Sequence, residues 1–126
     1  MNDPTKPYEL LFNERAGYLR AKVSAETIDR PTAIAYLTQV AERSRATAFT
    51  RVMLIRDIPV MLADSDLFFT TTDFLKMIGD TKVAFVNPYL TIELEMDFAI
   101  LIGKNRGGDL QLFNNEISAE EWLLGD

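Results

Sequence analysis

The sequence predicts an α/β protein made of one mixed sheet of about five strands and about four helices. Three observations support this fold class. The chain has 126 residues, of which 48% are hydrophobic and 25% charged, as is usual for one globular domain. Two short strand-like segments open the chain. From residue 29 onward helical and strand patterns alternate, which favours parallel strands joined by helical crossovers.

The first elements are a tail and a hairpin. Residues 1–7 contain two prolines and are expected to form a flexible tail, which leaves 8–125 as the domain. Residues 8–13 and 18–23 predict two strands, with Gly17 supplying the turn between them. Apolar and charged residues alternate in the second strand, so one face of this antiparallel pair is expected to meet solvent.

A helix and a buried strand follow the hairpin. Residues 29–47 predict the helix, with Asp29 as its N-cap and Pro31 in its first turn. Apolar residues recur in it at intervals of three and four, which predicts one buried stripe. Residues 50–58 predict the central strand, because Val52 to Ile55 are continuously apolar.

The chain turns from this strand into a second helix, predicted over residues 67–78, and Gly79 is expected to end that helix. Asp64 and Asp66 are expected to cap the start of the helix. In open α/β folds, the place where a central strand turns into a helix commonly carries function. We therefore name residues 57–69 the corner and take them as the candidate functional surface.

The later elements are two strands and a terminal helix. Residues 82–87 and 110–113 predict the strands. Ser118 and Glu121 have the spacing of a capping box, in which each side chain bonds the backbone N–H of the other, and they are expected to open the terminal helix.

Residues 91–107 fit two structures. Apolar and acidic residues alternate at the start of this segment, as in a strand. However, the acids lie early, the basic residues lie late, and a glycine follows, which suits a helix dipole and a C-cap. We predict a helix here; the alternative is a hairpin leading into Leu110.

Composition excludes several classes of function. The chain has no Cys and no His, which excludes disulfides, thiolate nucleophiles and the serine–histidine type of catalysis. The net charge of −6 argues against a nucleic-acid surface. No apolar run approaches the length of a membrane span and no secretory signal is visible. Carboxylates, Lys, Tyr and Ser remain, so composition constrains catalysis without excluding it. A cytoplasmic, non-enzymatic protein without cofactors is expected.

Three segments together resemble one family. They are VMLIRDIPVMLADSDL at 52–67, GKNRGGDLQLFNN at 103–115 and SAEEWLLG at 118–125. Each is similar to one feature of the STAS domains. The first resembles a strand that ends in Asp and is followed by an apolar loop and an Asp-Ser helix start. The second resembles a helix end followed by a strand, and the third resembles the terminal helix. The closer resemblance is to the bacterial SpoIIAA-like anti-sigma-factor antagonists, and it covers residues 8–125.

The resemblance implies a regulatory protein–protein interaction module. In the family, a serine at the start of the second helix is phosphorylated and controls partner binding. Here Asp66 stands at that serine position and Leu67 at the following glycine, so an intact phosphoserine switch is not expected. Ser65 lies one position early and is a weak candidate phosphorylation site.

The corner is expected to bind an unidentified protein partner or a second copy of the chain. The candidate residues are Asp57, Pro59, Val60, Met61, Leu62, Asp64, Ser65, Asp66, Phe68 and Phe69. One alternative is a small-molecule or lipid carrier, with an apolar pocket lined by Val60, Met61, Leu62 and Phe68. The other is magnesium-dependent phosphate chemistry at the three Asp residues of the corner.

Overall fold

The computed structural model describes residues 7–125. The predicted tail therefore lies almost wholly outside the described residues. The strands are β1 (Glu9–Arg15), β2 (Tyr18–Ser24), β3 (Arg51–Asp57), β4 (Lys82–Val86) and β5 (Leu110–Phe113). The helices are α1 (Arg30–Thr47), α2 (Asp64–Ile78), α3 (Glu93–Asn105) and α4 (Glu116–Leu124), with a short 3₁₀ turn at Leu90–Ile92 before α3.

The five strands form one sheet in the order β1-β2-β3-β4-β5. β1 and β2 are antiparallel, and every later neighbour is parallel. The predicted mixed α/β fold is confirmed. The helix predicted over 91–107 is also confirmed, as α3, and β5 pairs with β4 rather than forming a hairpin with that segment.

The two faces of the sheet are covered differently. Side chains alternate along β3, so Val52 and Leu54 join the larger core, which also contains residues of α1, α2 and α3. Met53 and Ile55 point the other way and join a smaller core with Ala119 and Leu123 of α4. The central strand is therefore buried on both faces, which explains its continuous apolar run.

Two helix starts test the predicted caps. Asp29 caps α1 as predicted, since its Oδ1 accepts a hydrogen bond of 2.9 Å from the Thr32 N–H. The capping box at Ser118 is wrong. α4 begins earlier, at Glu116, and the Asn115 side chain caps it by accepting from the Ser118 N–H at 2.9 Å. Asn caps a helix as well as Ser does. Because β5 ends at Phe113, the helix can begin after Asn115, and it does not wait for Ser118.

An ion pair links α4 to the hairpin and makes stability depend on pH. Glu116 accepts two hydrogen bonds from Arg20, of 2.7 and 3.1 Å, and these hold the pKa of the Glu116 carboxyl below its ordinary value. A lowered folded-state pKa stabilises the protein above the unfolded pKa, and this contribution is lost as pH falls through the folded pKa.

Glu116→Gln is therefore expected to lower the free energy of unfolding at neutral pH by up to about 1 kcal/mol, the range for solvent-exposed ion pairs. The difference from wild type should shrink as the medium becomes acidic, because the wild-type carboxylate is then protonated too. Urea titrations at several pH values measure this, with Glu121→Gln on the same helix as the control. A pH-independent difference would contradict the assignment.

Candidate functional site

The corner lies at the edge of the sheet where the parallel strands end. β3 ends at Asp57, which is in register with Ser24 at the end of β2. Ile55 is likewise in register with Val86 at the end of β4. The loops that follow these strands therefore start side by side, and the corner is next to the loop after β4.

Asp57 is held by a residue of that neighbouring loop. The Tyr89 hydroxyl donates a hydrogen bond of 2.5 Å to Asp57 Oδ1, and this bond raises the pKa of Tyr89. The buried Asn87 fixes Tyr89 in turn, donating from its side chain to the Tyr89 carbonyl and accepting from the Tyr89 N–H. Asp57 thus connects two loops at the edge of the sheet.

The second helix begins three residues earlier than predicted. α2 starts at Asp64, its N-cap is Ala63, and no side chain caps it. The expectation that Asp64 and Asp66 cap the helix is therefore wrong. Both lie inside the first turn, where their negative charges still favour the helix dipole. Asp64 and Ser65 are exposed, and Asp66 is half-buried.

The apolar side chains of the corner divide into an inner and an outer set. Leu62 is buried, and Pro59, Met61 and Phe68 are half-buried. Val60 is 41% exposed and Phe69 is 51% exposed. Two large apolar groups of the corner are therefore available to a partner.

Cationic side chains border the aromatic part of the corner. Phe68 and Phe69 meet edge to face at 5.4 Å between ring centres. The Arg106 guanidinium lies 4.6 Å from the centre of the Phe68 ring, and that of Arg30 lies 5.5 Å from the Phe69 ring. Arg30 also bonds Asp73 on α2 at 2.9 Å. The surface thus combines exposed apolar groups with charges of both signs.

The three Asp residues of the corner do not form a metal site. Within the stretch from Pro7 to Gly125, no group of three or more acidic side chains is arranged to hold a metal ion. Asp57 points to Tyr89, whereas Asp64 and Asp66 belong to the first turn of α2. The geometry therefore does not support the magnesium alternative.

Arg56 is a residue that the sequence reasoning missed. Its side chain is only 4% exposed, and it donates hydrogen bonds to the Ile58 carbonyl at 2.9 Å and the Val60 carbonyl at 2.6 Å. In the part of the chain that the structure describes, no ion pair joins Arg56 to a carboxylate. The guanidinium therefore fixes the first residues of the corner through backbone contacts. Alternation along β3 was the available signal, because it places Arg56 on the same face as Leu54.

A cavity of about 60 Å³ lies behind the corner, between the sheet and α1, α2 and α3. Met61 and Leu62 line it, but Val60 and Phe68 do not, so only half of the pocket predicted for a carrier is present. Arg56 and Thr70 also line it, and the Thr70 hydroxyl is a buried group without a hydrogen-bond partner. Sites for drug-sized ligands usually measure about 300–1,000 Å³. The cavity is too small to favour the carrier.

Comparison with solved structures identifies the class of fold. The structure is similar to the crystal structure of an anti-sigma factor antagonist from Mycobacterium paratuberculosis, with a TM-score of 0.69 and 16% sequence identity. The match covers 99% of this chain and 100% of that chain. No protein-family model matches the sequence, and neither does any curated protein.

The chain therefore has the STAS fold of the anti-sigma factor antagonists. The resemblance drawn from the three sequence segments is confirmed for the fold, over nearly the whole chain. None of the helices within residues 7–125 is long and apolar enough to cross a membrane.

Proposed function

We propose that this chain is a bacterial, cytoplasmic and non-enzymatic regulatory module that binds a protein partner through the corner. The observation that carries the proposal is the pair of exposed apolar side chains, Val60 and Phe69, beside the exposed acidic start of α2. The fold supports it, because the similar solved structure is an anti-sigma factor antagonist. Exposed apolar groups that together form one patch commonly mark an interaction site.

The corner is proposed to act without a phosphoserine switch. Ser65 is exposed within the first turn of α2, where backbone N–H groups would favour a phosphate. Its neighbours Asp64 and Asp66 would repel that phosphate. The same two carboxylates give this helix start a permanent negative charge, which a partner can recognise in any state of Ser65.

The test is affinity capture from a lysate of the source bacterium with four forms of the protein. The surface variants are Val60→Asp and Phe69→Asp, and the control is Ile117→Asp, which changes a residue that is 74% exposed on α4. Wild type and the control should retain the same partner, and both surface variants should lose it. Thermal melts of all forms show whether each variant is folded.

Met61 is unsuitable for this test because it lines the internal cavity, so a charge there would disturb the fold as well as the surface.

A partner that binds the surface variants and wild type equally would overturn the proposal. Analytical ultracentrifugation shows whether the captured partner is a different protein or a second copy of this chain. If the captured species is a second copy, wild type should sediment as a dimer and Val60→Asp as a monomer.

A further inference from the structure

A second apolar surface lies outside the corner, on and just before α3. Four large side chains there are exposed to solvent: Leu90 (73%), Leu94 (82%), Phe98 (44%) and Leu101 (54%). We name these four residues the α3 stripe. A single exposed leucine needs no explanation, but exposed apolar residues that share one surface indicate an interaction site.

Helical spacing places the three α3 residues of the stripe on one face. Leu94, Phe98 and Leu101 follow each other at intervals of four and three, and such residues lie next to each other on a helix surface. The opposite face of α3 packs into the protein, where Met96 and Ile100 are buried. α3 is therefore apolar on two faces, and its own fold covers only one of them.

Acidic side chains border the stripe at Leu94 and Phe98. Glu95 and Asp97 are both exposed and flank the row from Leu94 to Phe98, one on each side. Two stripes facing each other in a dimer would bring these carboxylates together. An anionic membrane surface would meet the same repulsion. Charge complementarity instead favours an apolar surface with a positively charged border.

We propose that the α3 stripe binds an amphipathic helix of a partner protein whose apolar face is bordered by lysine or arginine. The helical row from Leu94 to Leu101 corresponds to about two turns, roughly 10 Å, which matches the apolar face of a short partner helix. The binding does not depend on the corner, since the two surfaces use different side chains. It adds a second contact to the proposed function.

The experiment measures binding of labelled synthetic helical peptides by fluorescence anisotropy. One peptide carries leucines at intervals of three and four bordered by lysines, and its matched control carries glutamates in place of the lysines. The lysine peptide should bind wild type saturably, and the glutamate peptide at least about tenfold more weakly. The double variant Leu94→Asp/Phe98→Asp should also lose about tenfold or more, as expected when central apolar contacts are removed.

Ile117→Asp and Val60→Asp serve as controls and should bind the lysine peptide like wild type. Their use also separates the two proposals, because loss of the corner contact would leave peptide binding unchanged. Absence of saturable binding, or equal affinity for both peptides, would overturn the proposal. Two further results would overturn it. One is a wild-type dimer that the double variant does not form. The other is wild-type binding to phosphatidylcholine–phosphatidylglycerol vesicles that is lost in the double variant.

Discussion

Replacing Arg56 by methionine is expected to lower the free energy of unfolding by about 1–3 kcal/mol. Methionine keeps much of the apolar stem but removes the guanidinium that bonds the Ile58 and Val60 carbonyls. Ile58 is fully buried, so its carbonyl cannot turn to water without moving the loop. Removing the buried charge recovers some desolvation energy, but the Ile58 carbonyl is left without a hydrogen-bond partner, which costs about 1–3 kcal/mol.

Urea denaturation followed by circular dichroism measures this change. Arg51→Met is the matched control, because Arg51 lies at the start of the same strand and is half-buried. The control should change stability by less than about 0.5 kcal/mol, the range for surface positions. If Arg56→Met were as stable as wild type, the guanidinium would not fix the start of the corner.

The second large effect is expected in the central strand. Leu54 is fully buried and lies in register between Ala21 of β2 and Phe85 of β4. Leu54→Ala removes buried methyl groups and leaves a cavity between fixed neighbours, which costs about 2–5 kcal/mol.

Chemical denaturation of Leu54→Ala and Leu94→Ala compares the same substitution in two environments. Leu94 is 82% exposed, so its replacement should change stability by less than about 0.5 kcal/mol. Equal losses in the two variants would mean either that Leu54 is not in the core or that the α3 stripe is covered within the protein.

The mixed sheet and its helices could be predicted from the sequence because the signals were strong and independent. Alternation in β2, the continuous apolar run of β3 and the N-cap at Asp29 all pointed to the observed elements. The starts of α2 and α4 were harder. Two residues near the start of α4, Asn115 and Ser118, are able to cap it, and local preference does not select between them. α2 begins without any side-chain cap, so the search for a capping residue placed its start too late.

The surfaces of the site could be predicted less well than the fold. The burial of Arg56 was not predicted: alternation along β3 turns Arg56 into the larger core and Asp57 toward Tyr89. Which of the corner's apolar residues face outward depends on contacts with α1 and α3 that have no local signature. Phe69 is exposed, for example, whereas Leu67 is buried.

The α3 stripe was missed for a specific physical reason. Alternation of apolar and acidic residues from Ile92 to Phe98 resembles a strand, and a strand would place all of these apolar residues on one face. Once the segment is a helix, the same alternation distributes its apolar residues over two faces. A helix that is apolar on two faces predicts a partner for the second one.

The most direct test of the corner as a partner-binding surface is hydrogen–deuterium exchange of the protein alone and with its captured partner. Binding at the corner predicts slower exchange for amides in residues 57–69, with α4 and the hairpin of β1 and β2 unchanged. Slower exchange that omits 57–69 would contradict the proposed function. If that protection lay along α3 instead, the stripe would be the main binding surface and the corner would not.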